Sequence, residues 1–322
     1  MRLSTSLMQQ LGVNAILDQQ SKLNKTQLQL ATGKTHLTPA DDPIAAARGL
    51  NLQEEIRKHE QYQDNIDAAT NRLSLEESTL SSLGNMLHRV RELAVQANNQ
   101  ATLKPEDEQA IAHEARQLLD EMVGLANTKN ANGEYLFAGT RSHTQPYSDT
   151  PDPAPDFFVY QGDANQRQIQ IGPTRRIADG DSGAAVFENI PVEGGFADTN
   201  LFNIVHHFAL ALEDNPPDND NDPSTGIPAA EDIINDTLSN LDNALERINT
   251  VRAGVGARLN AVDEQQRVNE HFVVEMQGNL SEIQDLDYAG AISRFNLQQT
   301  ALQAAQQAFV RVQGLSLFNF LG

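Results

Sequence analysis

The chain has 322 residues, 39% of them hydrophobic and 5% aromatic, with neither Cys nor Trp. The absence of Cys excludes a disulfide framework, a thiolate zinc site and a cysteine nucleophile. A net charge of −21, from 44 acids against 23 bases, disfavours nucleic acid and anionic membrane as partners.

So few aromatic residues are poor material for one large globule and ordinary for long helices. No apolar run reaches 18 residues, so no segment is expected to span a membrane. The opening MRLSTSLMQQLGVNAILDQQ lacks the continuous apolar stretch of a Sec signal, so export is expected to use another route. Charge is also unevenly spread: residues 1–37 carry +3, residues 288–322 carry +2 with no acid at all, and the remainder carries −26. Each end holds six Gln. Such ends suit surfaces buried against neighbours, with the middle as an acidic, solvated exterior.

The first helix is expected from about Ser4 to Thr32, stopped by Gly33 at a favoured helix C-terminus. Ile16, Leu23, Leu30 and Leu37 recur at intervals of seven, although Leu37 lies past the stop, and Val13, Gln20 and Gln27 supply the companion seam position. A seam half Leu and half Gln is weak alone and selects its partner by amide pairing. An ordinary amphipathic helix on a core is the simpler alternative; the matching C-terminus favours assembly.

Thr38-Pro39-Ala40-Asp41-Asp42-Pro43 reads as a helix start, with an Asp as cap and Pro43 at the first helical position. The helical pattern then continues to about Asn99. Ile66, Ala69, Leu73, Glu76, Leu80, Leu83, Leu87, Val90, Ala94 and Ala97 follow a 3-4 alternation in which Glu76 is out of character. Such a helix is about 85 Å long, whereas a globule of this chain length is roughly 50 Å across. The expected shape is therefore a rod.

A third helix begins near Pro105, with acids in its first turn and Ile111, Ala115, Leu118, Met122 and Leu125 on its apolar face. Asn130-Ala131-Asn132-Gly133 ends it in a turn. Residues 134–200 read as a small inserted β domain, with strand-like runs at Tyr135–Phe137, Phe157–Tyr160, Gln168–Ile171 and Ala185–Phe187. A helix near Leu201–Leu212 precedes the acidic, Pro-rich stretch Glu213–Pro223, which reads as a solvated linker. Helix resumes from about Ala229 to Leu286, with Leu259, Val262, Gln266, Asn269, Val273, Met276, Leu280 and Ile283 as its seam. In the last segment Tyr288, Phe295, Leu302 and Phe309 stand seven apart, backed by Ile292, before Leu315-Ser316-Leu317-Phe318.

Fragments that imitate catalytic motifs fail on context. Gly180-Asp181-Ser182-Gly183 resembles a serine-protease nucleophile loop, but Ala184 breaks the pattern, and a tight turn between strands accounts for it. Gly254-Val255-Gly256 lies inside a helix with no preceding strand, so it is not a dinucleotide loop. Asp218-x-Asp220-x-Asp222 has Pro223 where a calcium loop needs Gly and Ala229 where it needs Glu. The eight His residues never recur at i, i+4, and His206 and His207 point about 100° apart on a helix, so no metal is expected. Glu54-Glu55 and Glu76-Glu77 are expected on solvated faces. The chain is expected not to be an enzyme and to need no cofactor.

Specific motifs are Met1-Arg2-Leu3-Ser4-Thr5, Thr32-Gly33-Lys34, Pro39-Ala40-Asp41-Asp42-Pro43, Leu73-Ser74-Leu75-Glu76-Glu77 and Gly133-Glu134-Tyr135-Leu136-Phe137-Ala138-Gly139. With Leu315-Ser316-Leu317-Phe318, they resemble bacterial flagellins over about residues 1–140 and 230–322. Where flagellins carry a Ser-Gly segment and a Lys-Asp-Asp, this chain has Thr32-Gly33 and Ala40-Asp41-Asp42-Pro43, which is closer to the flagellar hook-associated protein 3 family. Tyr160-Gln161-Gly162-Asp163 in the β segment is also similar to that family.

The resemblance implies a mainly α fold: an elongated rod of long antiparallel N- and C-terminal helices, a flagellin-like coiled coil with a small inserted β domain. It divides into a terminal assembly domain (1–38 with 288–322), a helical rod (39–133 with 201–287) and the insertion (134–200). It also implies a ring-forming homo-oligomer at the hook–filament junction, with the first hook-associated protein and flagellin as partners and an export chaperone before secretion. The expected location is the extracellular flagellum, reached without a cleavable signal peptide. The assembly interface is expected to use Val13, Ile16, Leu23, Leu30, Tyr288, Ile292, Phe295, Leu302, Phe309, Leu315, Leu317 and Phe318. Acidic substitutions at Leu302 or Phe309 are expected to damage assembly and spare the soluble core. Flagellin itself, and a secreted helical-rod adhesin or effector, are the alternatives.

Overall fold

The computed structural model describes residues 5–99, 104–149, 157–192, 199–213 and 230–318. Two helices dominate: α2 (Pro43–Ala97) and α6 (Ala230–Gln284), each of 55 residues and so about 82 Å long. The other helices are α1 (Thr5–Thr32), α3 (Pro105–Ala126), the single turn α4 (Gly183–Val186), α5 (Leu201–Leu212) and α7 (Tyr288–Phe318). The chain folds as two units, Met1–Glu60 with Glu270–Gly322, and Gln61–Asn269.

In the first unit α1 and α7 pack antiparallel, Gly12 meeting Phe309 near one end and Gly33 meeting Tyr288 at the other. The turns leading out of α1 and into α7 are pinned together. Gly33, at φ +69°, ends α1 and accepts the Leu286 N–H at 2.9 Å, while Thr35 N–H donates to Gln284 O at 2.9 Å. A Cβ at Gly33 would stand 2.8 Å from the Tyr288 hydroxyl, so both the turn and the close approach need glycine. The two adjacent aspartates divide the work. Asp41 accepts the Leu37 and Thr38 N–H groups and pairs with Lys25, whose hydrogen bond, first among several, holds its acid down at about 2. Asp42 caps α2 through the Ile44 and Ala45 N–H groups.

In the second unit the 3-4 seam of α2 is buried throughout, Ile66, Leu73, Leu80, Leu83, Leu87 and Val90 having no exposed surface. It shares one core with Leu241, Ile248 and Val255 of α6 and with α3 and α5. The apolar face of α3 is rotated by about one residue from expectation. Leu119 and Ala126 are buried, while Leu118 and Leu125 pack at its margin. Among its described residues the β region holds two antiparallel strand pairs. β1 (Tyr147–Asp149) pairs with β2 (Phe158–Tyr160), Ser148 opposite Val159, and β3 (Gln168–Gln170) pairs with β4 (Arg176–Ala178), Ile169 opposite Ile177. Ala185–Phe187, expected as strand, is instead the end of α4, because the Ser182 hydroxyl accepts the Ala185 N–H and starts a helical turn. Tyr135 makes only an isolated bridge to Lys129. Several of the scarce aromatic residues gather here: Tyr147 packs against Phe202 of α5 with ring centroids 4.7 Å apart and against Phe187 at 5.8 Å.

Gly254 and Gly256 lie within α6, and a Cβ at either would meet nothing within 4 Å. Gly254→Ala should therefore stabilise the isolated protein by about 1 kcal/mol through helix propensity alone. A urea midpoint that fails to rise would show that Gly254 has a packing role in the monomer.

Candidate assembly interface

The inner line of α1 is Gly12, Ile16, Gln19, Leu23, Thr26 and Leu30; that of α7 is Ala291, Phe295, Gln298, Leu302, Ala305 and Phe309. Each advances by alternating steps of four and three, so both stay on one helical face. The expected Ile16–Leu23–Leu30 line is present, but its companion is Gly12, Gln19 and Thr26 rather than Val13, Gln20 and Gln27, which point outward. The reason lies across the interface. A Cβ at Gly12 would stand 2.8 Å from the Phe309 ring, so the position that looks empty in sequence is where the helices approach most closely. The Gln19 amide donates to the backbone carbonyl of Gln298 at 3.2 Å, not to a second side-chain amide, so the expected pairing of amides is not seen here.

Six of the named residues thus face one another inside the chain: Ile16, Leu23, Leu30, Phe295, Leu302 and Phe309. Val13, Tyr288 and Ile292 remain exposed. The side chains of Leu315, Leu317 and Phe318 lie outside the described residues, although α7 runs through Phe318. Sequence reasoning missed other outward apolar groups, Leu7, Leu11, Leu17 and Leu28 on α1 and Leu297 on α7; Val310 of α7 is exposed as well. Leu17 and Leu28, each 56% exposed, are eleven residues apart and so share a face to within about 20°. Ile292 and Val310, eighteen apart, also share one. Apolar groups repeated along a helix face in water mark a surface that another chain covers.

The motifs set aside on sequence grounds have structural duties. Ser182 caps α4, and Asp181 is held by Arg258 and Gln166. His206 is stacked on Phe157 with ring centroids 4.3 Å apart, and burial, then His207, push its pKa down to about 4, so it packs as a neutral ring. Among the described residues no group of His, Cys, Asp or Glu is placed to hold a metal, and no helix is long and apolar enough to cross a membrane. Asp218-x-Asp220-x-Asp222 lies outside the described residues. Glu54 and Glu55 are solvated and share Lys58, as expected, whereas Glu76 is not solvated: it has no exposed surface, and its Oε1 accepts the Asp181 N–H at 3.1 Å. The out-of-character position in the α2 seam is therefore a polar anchor for the insertion. Its neighbour Glu77 pairs with Arg252 at 2.6 Å.

Paired terminal helices with an acid-poor, outwardly apolar surface, joined to long buried helices and a β insertion, define a flagellin-type chain. The family model for the bacterial flagellin N-terminal helical region matches residues 3–142, and that for the C-terminal helical region matches residues 238–321. The chain is 33% identical to the flagellar hook-associated protein 3 of Escherichia coli over 99% of both chains, and 30% identical to that of Salmonella typhimurium over the same shares. The crystal structure of hook-associated protein 3 from Legionella pneumophila has the same fold, with a TM-score of 0.62 over 72% of this chain and 98% of that one, at 24% identity. The chain belongs to the flagellar hook-associated protein 3 family: it is a structural component of the bacterial flagellum, extracellular in location.

Proposed function

We propose that the chain forms a ring of identical subunits between the first hook-associated protein and the flagellin filament. Residues 1–38 and 288–322 act as its terminal assembly domain. The α1–α7 pair packs against neighbouring subunits through Val13, Leu17, Leu28, Tyr288, Ile292 and Val310, while Ile16, Leu23, Leu30, Phe295, Leu302 and Phe309 keep the pair closed. Leu315, Leu317 and Phe318 serve as further assembly contacts. Residues 39–133 and 201–287 form the wall of the ring, and the insertion at 134–200 faces outward. The subunit leaves the cell unfolded through the flagellar export apparatus, without a cleavable signal peptide, after release from a chaperone.

The observation that carries this reading is the row of outward apolar side chains on the α1–α7 pair. Asp18 is the one acid among residues 1–37, and residues 288–322 have none, in a chain of net charge −21. A deletion strain tests it. Loss of a junction subunit should leave hooks in place, stop swimming and release flagellin monomers into the medium, with recovery on complementation. Cells that still swim, or that stop making extracellular flagellin, would overturn the junction role.

A further inference from the structure

Around Glu76 lies a buried cluster of charge drawn from α2, α6 and the insertion. From α2, Arg72 gives Nη2 to the carbonyls of Leu136 at 3.0 Å and Tyr135 at 3.4 Å, and Nη1 to Glu134 at 3.5 Å. From α6, Arg258 grips both carboxylate oxygens of Asp181. Within the insertion Arg167 holds Asp179, its Nε 2.9 Å away, and also approaches Glu134. Gly180 fits against the helix between these groups. A Cβ there would stand 3.1 Å from Arg72 Nε and 3.7 Å from Glu76 Oε2.

Arg72, Arg167 and Arg258 face Glu134, Asp179 and Asp181, so the cluster is balanced while Glu76 is neutral. Ionised Glu76 adds a fourth carboxylate with no guanidinium of its own, since Arg258 is committed to Asp181 and Arg252 to Glu77. Its Oε2 has no hydrogen-bond partner. An uncompensated charge at a site with no exposed surface favours any opening that admits water.

We propose that Glu76 is a proton-operated latch: neutral, it fixes the Asp179–Ser182 turn of the insertion to α2 and α6, and ionised, it loosens that attachment. Burial, then the Asp181 carboxylate, push its acid up to about 8, with Arg258 pulling the other way. The closed form therefore keeps a proton that the opened or unfolded chain releases above about pH 4.5. Closure weakens as pH rises from there to about 8 and levels off beyond.

The test is native-state hydrogen exchange, read by mass spectrometry on peptides covering 176–187 in the full chain at pH 6, 7.5 and 9. After correction for intrinsic exchange, protection should fall roughly a hundredfold between pH 6 and 9 in the parent. It should stay flat in Glu76→Gln, which keeps an acceptor for the Asp181 N–H. Asp181→Asn removes the like charge beside Glu76 and should shrink the fall. Flat protection in the parent, or an undiminished fall in either variant, overturns the latch. Should Glu76→Gln fail to fold at pH 6, the parent and Asp181→Asn profiles decide between the same outcomes.

Discussion

Val310→Asp, and separately Leu28→Asp, should abolish swimming and release flagellin into the medium while leaving the melting temperature of the soluble protein nearly unchanged. Both side chains are more than half exposed in the isolated chain, Val310 at 66% and Leu28 at 56%, so a carboxylate there stays hydrated. A surface change of this kind moves stability by about 0.5 kcal/mol or less. In a ring every copy would bury that carboxylate against a neighbour, at a cost of several kcal/mol per interface. Phe309→Asp has a different expected result. The Phe309 ring lies against Gly12 on the inner line of the α1–α7 pair, so the charge would fall inside the chain. That variant should lose helical circular dichroism from α1 and α7 as well as motility. Leu302 and Phe309 are both engaged within the pair, so acidic changes there should disturb the α1–α7 helices themselves in addition to assembly. Normal swimming by Val310→Asp and Leu28→Asp would show that this face is not covered in the flagellum.

The contrast between Phe309 and Val310 indicates what the sequence could and could not convey. A heptad repeat identifies a line of residues on a helix, and the line through Phe295, Leu302 and Phe309 is real. It does not say whether the partner is the same chain or another. The α2 seam was legible position by position because long, regular burial leaves a regular 3-4 trace. Glu76 broke that trace, and its reason lay in a turn 105 residues away, beyond any local pattern. The same limit explains Gly12: a glycine carries no apolar signal, and only the Phe309 ring opposite gives it meaning. The strands β1 and β4 went unread because Tyr147-Ser148-Asp149 and Arg176-Ile177-Ala178 lack a flanking apolar residue, such as Phe157 beside β2 or Ile171 beside β3, that lengthens the run. The mistaken strand at Ala185–Phe187 had a readable warning in Ser182, a preferred helix N-cap. Both cap signals at Gly33 and Asp42–Pro43 were legible because they depend on a few neighbouring residues alone.

Arg72→Met should be among the most destabilising single changes in the second unit. The Arg72 side chain is buried, only 6% of it exposed, yet it is not an ordinary ion pair. Its closest contact is the Leu136 carbonyl at 3.0 Å, with Tyr135 O at 3.4 Å and Glu134 farther still. The guanidinium therefore serves first as a bracket for the backbone entering the insertion and second as a counter-charge. Burial, then Arg167, bias against its charge, while Asp179, Glu134 and Glu76 offset that bias. Methionine fills similar volume but leaves buried carbonyls without a donor and the cluster with an excess of negative charge. Breaking a buried charged network from one side costs about 3–5 kcal/mol. For a unit of this size that lowers the melting temperature by roughly 10 °C. Arg72→Lys should recover little, because a single ammonium cannot both bond the two carbonyls, as Nη2 does, and meet Glu134, as Nη1 does. A calorimetric scan with Arg72→Lys close to the parent would show that charge alone mattered. One with Arg72→Met close to the parent would show that the insertion is held without this bracket.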